Sequence, residues 1–146
     1  MTATDDKTIV REYFNSTGFD RWRRIYGDGE VNKVQLDIRN GHQQTVDTVL
    51  GWLKADGNLQ DLSICDAGCG VGSLSIPLAQ AGAKVYASDI SDQMVKEALD
   101  RAAQLGNDVH LTFAVQDLET LSGRYHTVIC LDVLIHYPQE QADKMI

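Results

Sequence analysis

Apolar positions in the first third of the chain recur at the spacing of an α-helix. The pattern over residues 9–14 predicts an amphipathic helix covering residues 4–17, which Gly18 is predicted to break. A second apolar pattern predicts a helix over residues 35–53, interrupted at Gly41. We therefore expect helices to precede the main core of the protein.

From residue 58 the pattern changes to short apolar runs separated by stretches of helical spacing. The predicted strands cover residues 62–66, 84–89, 109–115 and 127–133. Strands that alternate with helices are typical of an α/β fold with a parallel sheet. We therefore predict one domain, in which residues 1–57 form a helical lid or cap and residues 58–146 form the core.

A glycine-rich turn follows the first predicted strand, in the sequence Asp66-Ala-Gly68-Cys-Gly70-Val-Gly72. Glycine lets the backbone turn sharply and lets a ligand approach closely, and the next helix directs unpaired N–H groups at that ligand. The dinucleotide fingerprint is G-x-G-x-x-G, whose third glycine would stand at Ser73. Asp66 also disfavours a pyrophosphate and favours a sulfonium or an ammonium group. A degenerate dinucleotide site and a purely structural turn are the alternatives.

Acidic residues stand at or just beyond the ends of the four predicted strands, namely Asp66, Asp89, Asp117 and Asp132. Ligands of open parallel sheets bind outside these strand ends. Asp89 lies about 20 residues beyond the glycines, where an acid can bind both hydroxyls of a ribose. The alternative for Asp89 is an acid that stabilises the start of the following helix.

The neighbours of these acids suit an adenine ring. Ile90 and Met94 are expected to flank the ring, and Asp117 to accept a hydrogen bond from its amine. The backbone N–H of Leu118 would donate to the ring. The alternative for Asp117 is an ordinary loop acid.

The composition of the chain argues against several kinds of binding partner and cellular location. A net charge of -8 without a basic tail argues against non-specific nucleic-acid binding. No apolar run approaches the roughly 20 residues that span a bilayer, and the start of the chain lacks the pattern of a secretory signal. We therefore expect a cytoplasmic protein. Cys65 and Cys130 are expected to be buried free thiols, and no cysteine spacing predicts a metal site.

A basic and aromatic segment, residues 19–26, stands out in this acidic chain. Its arginines lie among large rings, in the sequence Phe19-Asp-Arg21-Trp22-Arg23-Arg24-Ile-Tyr26. One hypothesis is a lid or entrance for a flat anionic ligand, because guanidinium groups pair with carboxylates. The alternative is an amphipathic helix whose arginines extend along its apolar surface into solvent.

The glycine turn and the acids that follow it resemble the motifs of class I S-adenosylmethionine (SAM)-dependent methyltransferases, over roughly residues 60–140. Segments 66–78, 130–138 and 13–27 are similar to the magnesium-protoporphyrin IX O-methyltransferases of chlorophyll biosynthesis. The resemblance implies a Rossmann-like α/β fold and methyl transfer from SAM to a propionate carboxylate of magnesium protoporphyrin IX, giving the monomethyl ester. It also implies, as a partner, the porphyrin-binding subunit of magnesium chelatase.

Site residues follow from this resemblance and from the chemistry of the side chains. Tyr26 and His136 are the predicted catalytic residues, and a capped strand-end histidine is the alternative for His136. Arg21, Trp22 and Arg24 are predicted to bind the porphyrin. The predicted cofactor-binding residues are Asp66, Gly68, Gly70, Gly72, Asp89, Ile90, Met94, Asp117, Leu118 and Asp132.

One departure from the family concerns the sheet. The class has seven strands and the pattern here predicts four, so we expect a fragment of a longer enzyme that lacks the C-terminal strands. Two rival hypotheses stay open: a methyltransferase acting on a quinone or phenol, and a truncated domain that binds SAM or a partner without turnover. Peripheral attachment to a photosynthetic membrane also stays open.

Overall fold

The computed structural model of the chain describes residues 3–106 and 108–131. Helices come first: α1 (Ala3–Phe14), α2 (Thr17–Ile25) and α3 (Lys33–Ala55). Asn32 caps α3, because its side chain accepts a hydrogen bond from the N–H of Gln35 while the Gln35 side chain accepts one from the N–H of Asn32. The predicted interruption at Gly41 is wrong, since α3 continues through it. One glycine costs only about 1 kcal/mol in a helix, less than a long packed helix gains.

Gly18 does not break the first helix, and the prediction that it would is wrong. The break falls at residues 15–16, and Gly18 lies buried inside α2. A β-carbon at Gly18 would stand 2.6 Å from the carbonyl oxygen of Tyr13. Glycine is needed here because α1 and α2 pack closely.

The sheet has four parallel strands among the described residues: β1 (Ser63–Ala67), β2 (Lys84–Asp89), β3 (His110–Val115) and β4 (Thr127–Ile129). Their order is β3-β2-β1-β4. Helices α4 (Ser75–Gln80) and α5 (Asp92–Ala102) and a short 3-10 helix (Leu118–Thr120) connect them. The predicted α/β architecture with a parallel sheet is confirmed, and β2 has the predicted bounds.

The hydrophobic core joins the sheet to α3. Val46 of α3 is fully buried, and Val49, Leu50 and Leu53 pack against the same cluster. The buried members of this cluster are Val46, Leu59, Ile64, Leu74, Leu78, Ala79, Ala83, Val85, Ala87 and Ile129. Helix α3 is therefore built into the core of the sheet, although the predicted cap included it.

The cysteines are free thiols in different environments. Cys65 is buried in β1, whereas Cys130 is exposed. The prediction of a buried Cys130 is wrong, because side chains alternate along an extended segment and Ile129 takes the buried position beside it.

Candidate functional site

The carboxyl ends of the strands open onto a cavity of about 380 Å³, within the usual size of small-ligand sites. Asp66 from β1 and Asp89 from β2 line it, together with Asp117 beyond β3 and Leu131 beyond β4. The strand ends thus meet at one edge of the sheet, where the sequence pattern expected a ligand. Asp132 and His136 lie outside the described residues.

The glycine turn between β1 and α4 is fixed onto β2. The N–H groups of Gly68 and Cys69 both donate to the carbonyl oxygen of Ser88, over 2.7 and 2.8 Å. Gly70 has φ +56° and lines the cavity, and a β-carbon there would meet no atom within 4 Å. The backbone of the turn therefore needs glycine at position 70 and leaves open space above it.

Gly72 has a different environment from the other two glycines. A β-carbon at Gly72 would lie 3.2 Å from the ring of Phe113 and 3.3 Å from the side chain of Ile76. Gly72 is not among the described residues that line the cavity. Gly72 therefore allows the turn to pack closely against α4 and the sheet.

Asp89 is held in one orientation by the backbone. One oxygen of its carboxylate accepts the N–H of Gly70 at 2.9 Å, and the other accepts the N–H of Ser91 at 2.9 Å. Ser91 in turn caps α5 by accepting the N–H of Met94. The carboxylate therefore joins the glycine turn to the start of α5 and faces the cavity between them.

Asp66 is a buried acid that lines the cavity. Its pKa is raised to about 6, mainly by burial and also by the nearby Asp89, while the hydroxyl of Ser75 opposes the shift by donating a hydrogen bond to the carboxylate. A cation bound between the two carboxylates would favour their charged forms. The electrostatics of this half of the cavity therefore suit a positively charged ligand.

The raised pKa makes the stability of the empty protein depend on pH. Protonated Asp66 favours the folded state, and this contribution is fully present below pH 3.8 and lost as pH rises through about 6. We expect Asp66→Asn to raise the free energy of unfolding by about 2–3 kcal/mol at pH 8 and to change it little at pH 3.5, since one pKa unit is worth about 1.4 kcal/mol. Urea unfolding at both pH values measures this. Asp92→Asn, at an exposed acid, is the control, and a gain from Asp66→Asn that does not vary with pH would contradict the prediction.

The residues predicted to surround an adenine ring lie together. Ile90, Met94 and Leu118 line the cavity beside Asp117. One oxygen of Asp117 accepts the N–H of Thr120 and so caps the 3-10 helix. Asp117 therefore caps a short helix, as an ordinary loop acid would, and it also lines the cavity.

Three aromatic rings form another part of the cavity lining, the aromatic wall. The ring centroids of Trp22 and Tyr26 lie 5.4 Å apart, and those of Tyr26 and His42 lie 4.2 Å apart. His42 comes from α3 and was not predicted, because its position in an amphipathic helix carries no signal of a site. Other lining residues that the sequence did not indicate are Val10, Phe14, Ile38, Thr45, Cys69 and Gln116.

The arginines of α2 stand apart from this wall. Arg21, Arg23 and Arg24 are exposed and are not among the described residues that line the cavity. The Arg21 guanidinium lies 5.5 Å from the ring centre of Trp22, which is the arrangement expected of an amphipathic helix. Binding of a substrate by Arg21 and Arg24 stays a prediction.

The end of α1 is attached to the core beside the cavity. The side-chain oxygen of Asn15 accepts a hydrogen bond from Ser91 Oγ at 2.6 Å, and Lys7 Nζ lies 2.8 Å from a carboxylate oxygen of Glu119. Phe14 and Val10 of α1 therefore form part of the cavity. All three N-terminal helices therefore contribute residues to the cavity lining.

Residues 3–106 and 108–131 offer neither a membrane span nor a metal centre. None of the helices there is long and apolar enough to cross a membrane. The same residues contain no group of three His, Cys, Asp or Glu side chains that could hold a metal ion.

Comparison with known proteins relates this site to a family. A magnesium-protoporphyrin O-methyltransferase from Synechocystis is 71% identical, covering 99% of this chain and 63% of that protein. The chloroplastic magnesium protoporphyrin IX methyltransferase of Arabidopsis thaliana is 60% identical, covering 97% of this chain and 46% of that protein. The crystal structure of the Synechocystis magnesium protoporphyrin IX methyltransferase with bound SAM is 69% identical and matches with a TM-score of 0.94, covering 99% of this chain and 70% of that one.

The chain thus spans less than two thirds of the length of either relative found by sequence. The likeness to the solved structure confirms the predicted class I methyltransferase fold. Residues 64–146 match the family described as methyltransferase domain, and this is more than half of the chain. The protein therefore belongs to this family of methyltransferase domains.

Proposed function

We propose that the chain binds SAM and methylates a propionate carboxylate of magnesium protoporphyrin IX, giving the monomethyl ester. The observation that carries the proposal is a single cavity lined both by a buried acid, Asp66, and by the aromatic side chains of Trp22 and Tyr26. The acidic half suits a cationic cofactor, and the aromatic half suits a flat macrocycle. The high identity to magnesium-protoporphyrin methyltransferases supports this choice of substrate.

The residues of the acidic half fit SAM. The raised pKa of Asp66 reports a buried carboxylate that a cationic ligand would stabilise. The N–H groups of Gly70 and Ser91 orient the Asp89 carboxylate, which supports its assignment to a pair of ribose hydroxyls, and Gly70 leaves room for close approach. When bound, SAM supplies a methyl group on a positively charged sulfur.

The substrate group requires little chemical activation. A propionic acid has a pKa of about 4, so at neutral pH it is already the nucleophilic carboxylate and no strong general base is needed. The protein then contributes to catalysis by orienting this carboxylate and by excluding water. We assign the orienting hydrogen bond to the phenol of Tyr26, and a second one to His136, which the sequence predicted.

The exposed arginines have a role that does not require them to line the cavity. The porphyrin carries two propionates, and a chain with a net charge of -8 repels it at long range. Arg21 and Arg24 on the outer face of α2 offset that repulsion beside the aromatic wall. They can also pair with the propionate that is not being methylated.

A methyl-transfer assay tests the proposal. The purified chain is incubated with SAM carrying a labelled methyl group and with magnesium protoporphyrin IX, and the ester is separated chromatographically. The same chain joined to the part of the Synechocystis relative beyond the match serves as a second sample. We expect label in the monomethyl ester and none in a quinone or phenol acceptor. Absence of labelled ester from both samples, while SAM binds, would overturn the proposed activity.

Two further assignments rest on the family alone. The proposed protein partner is the porphyrin-binding subunit of magnesium chelatase, and the proposed location is the cytoplasm, with peripheral attachment to a photosynthetic membrane. The Arabidopsis relative is described as chloroplastic. Co-purification of the tagged chain with that subunit from a photosynthetic cell, and its distribution between membrane and soluble fractions, would test them.

A further inference from the structure

Two arginines from other helices hold the C-terminal end of α2. Arg39 of α3 donates from Nε to the carbonyl oxygen of Ile25 at 2.6 Å, and from Nη2 to those of Arg24 and Gly29 at 2.8 and 3.0 Å. Arg101 of α5 donates from Nη1 to the carbonyl oxygen of Tyr26 at 2.9 Å. The last carbonyls of a helix lack partners within the helix, and cations there are favourable.

The same helices also fix the ring of Tyr26 and the orientation of Arg101. His42 follows Arg39 by three residues on α3, so the two side chains lie on adjacent turns of one face. One holds the backbone before Tyr26, and the other packs its ring 4.2 Å from the Tyr26 ring. Glu97, one turn before Arg101 on α5, accepts from its Nε at 3.3 Å and so orients the guanidinium.

We propose that Arg39 and Arg101 are positioning residues, which set the phenol of Tyr26 against the reacting carboxylate. The inference rests on the function proposed above, in which Tyr26 orients the substrate. Neither arginine is among the described residues that line the cavity, so both act through Tyr26.

Helix α5 is the common reference for both halves of the reaction. Ser91 and Met94 at its start hold or line the cofactor half, and Arg101 at its end holds Tyr26. Helix α5 thus ties the backbone of Tyr26 to the cofactor part of the cavity, and α3 holds the same segment from the other side. A displacement of about 1 Å at such a site can cost about 100-fold in rate.

The test compares Arg101→Gln and Arg39→Gln with Lys96→Gln, a control at an exposed cation of α5. We expect kcat to fall about 10- to 100-fold for the two arginine variants, with SAM affinity unchanged and the control equal to wild type. Arg101→Lys should recover most of kcat, because one ammonium can serve one carbonyl. Arg39→Lys should not, because an ammonium lacks the fork that reaches three carbonyls.

Two further measurements separate positioning from general stability. In a Tyr26→Phe background, Arg101→Gln should lower kcat no further, whereas additive losses would overturn action through Tyr26. In a Trp52→Phe background, the remaining tryptophan is Trp22, beside Tyr26. Its emission should shift to longer wavelength in the arginine variants and stay unchanged in Lys96→Gln.

These readouts also distinguish a failure of this inference from a failure of the proposed function. If the wild-type chain makes no ester, the proposed function fails, and the Trp22 emission still decides whether the arginines hold the aromatic wall. If the wild type makes ester and both arginine variants keep its kcat, the positioning role is overturned. Unchanged Trp22 emission in both variants would overturn it as well.

Discussion

Asp89→Ala is expected to weaken SAM binding by about 2–3 kcal/mol, roughly 30- to 150-fold in Kd, through the loss of two charge-assisted hydrogen bonds to the ribose. The structure adds a reason for an effect of this size. Both oxygens of the carboxylate are already oriented, by the N–H groups of Gly70 and Ser91, so little ordering is left for the moment of binding. Titration calorimetry with SAM measures the change.

Asp92→Ala is the matched control for Asp89→Ala. Asp92 is an exposed acid in the first turn of α5, close in sequence but absent from the described lining of the cavity. We expect the control to bind SAM as the wild type does. Wild-type affinity in Asp89→Ala would rule out the assignment of this acid, and urea unfolding of both variants shows whether a loss comes from the site or from the fold.

Gly70→Val is expected to abolish measurable binding of SAM. Position 70 has φ +56°, a conformation that costs a β-branched side chain about 1–3 kcal/mol. The new side chain would also occupy open space that borders the cavity. Strain and occupation act together, so the loss should exceed that of Asp89→Ala. Calorimetry with SAM checks it.

Two other glycines separate these effects. Gly29→Val places the same side chain in open space away from the site and should leave SAM binding unchanged. Gly72→Ala adds a methyl group within 3.2 Å of Phe113 and should lower the free energy of unfolding by about 1–3 kcal/mol. Normal SAM affinity in Gly70→Val would mean that the turn is purely structural.

Asp66 shows how function can oppose stability at a single residue. Without a ligand, the folded protein would be more stable if Asp66 were protonated, since burial is the main cause that raises its pKa to about 6. The neutral amide of Asp66→Asn would relieve this cost but would also remove the charge that a cationic ligand needs. We expect binding of the cationic cofactor to offset the destabilisation that an ionised Asp66 causes in the empty protein.

Short-range patterns were enough to predict the framework of the site. Alternating apolar runs indicate strands, and glycines directly after a strand indicate a turn, because both depend on the conformations of neighbouring residues. Parallel strands then bring their carboxyl ends together, so the grouping of Asp66, Asp89 and Asp117 followed from sequence order alone. The fold class and the edge of the sheet where the cavity lies were predictable for this reason.

Contacts between distant segments decided the rest. Gly18 serves the packing of two helices, although the sequence predicted a helix break there. Gly72 packs the turn against the sheet, and its predicted part in cofactor binding stays a prediction. His42 joins the cavity because α3 crosses it, and Arg39 and Arg101 hold the end of α2 from positions 14 and 75 residues away. Contacts of this kind depend on how helices and strands pack against each other. The apolar periodicity of one helix or strand does not indicate which other element it will contact.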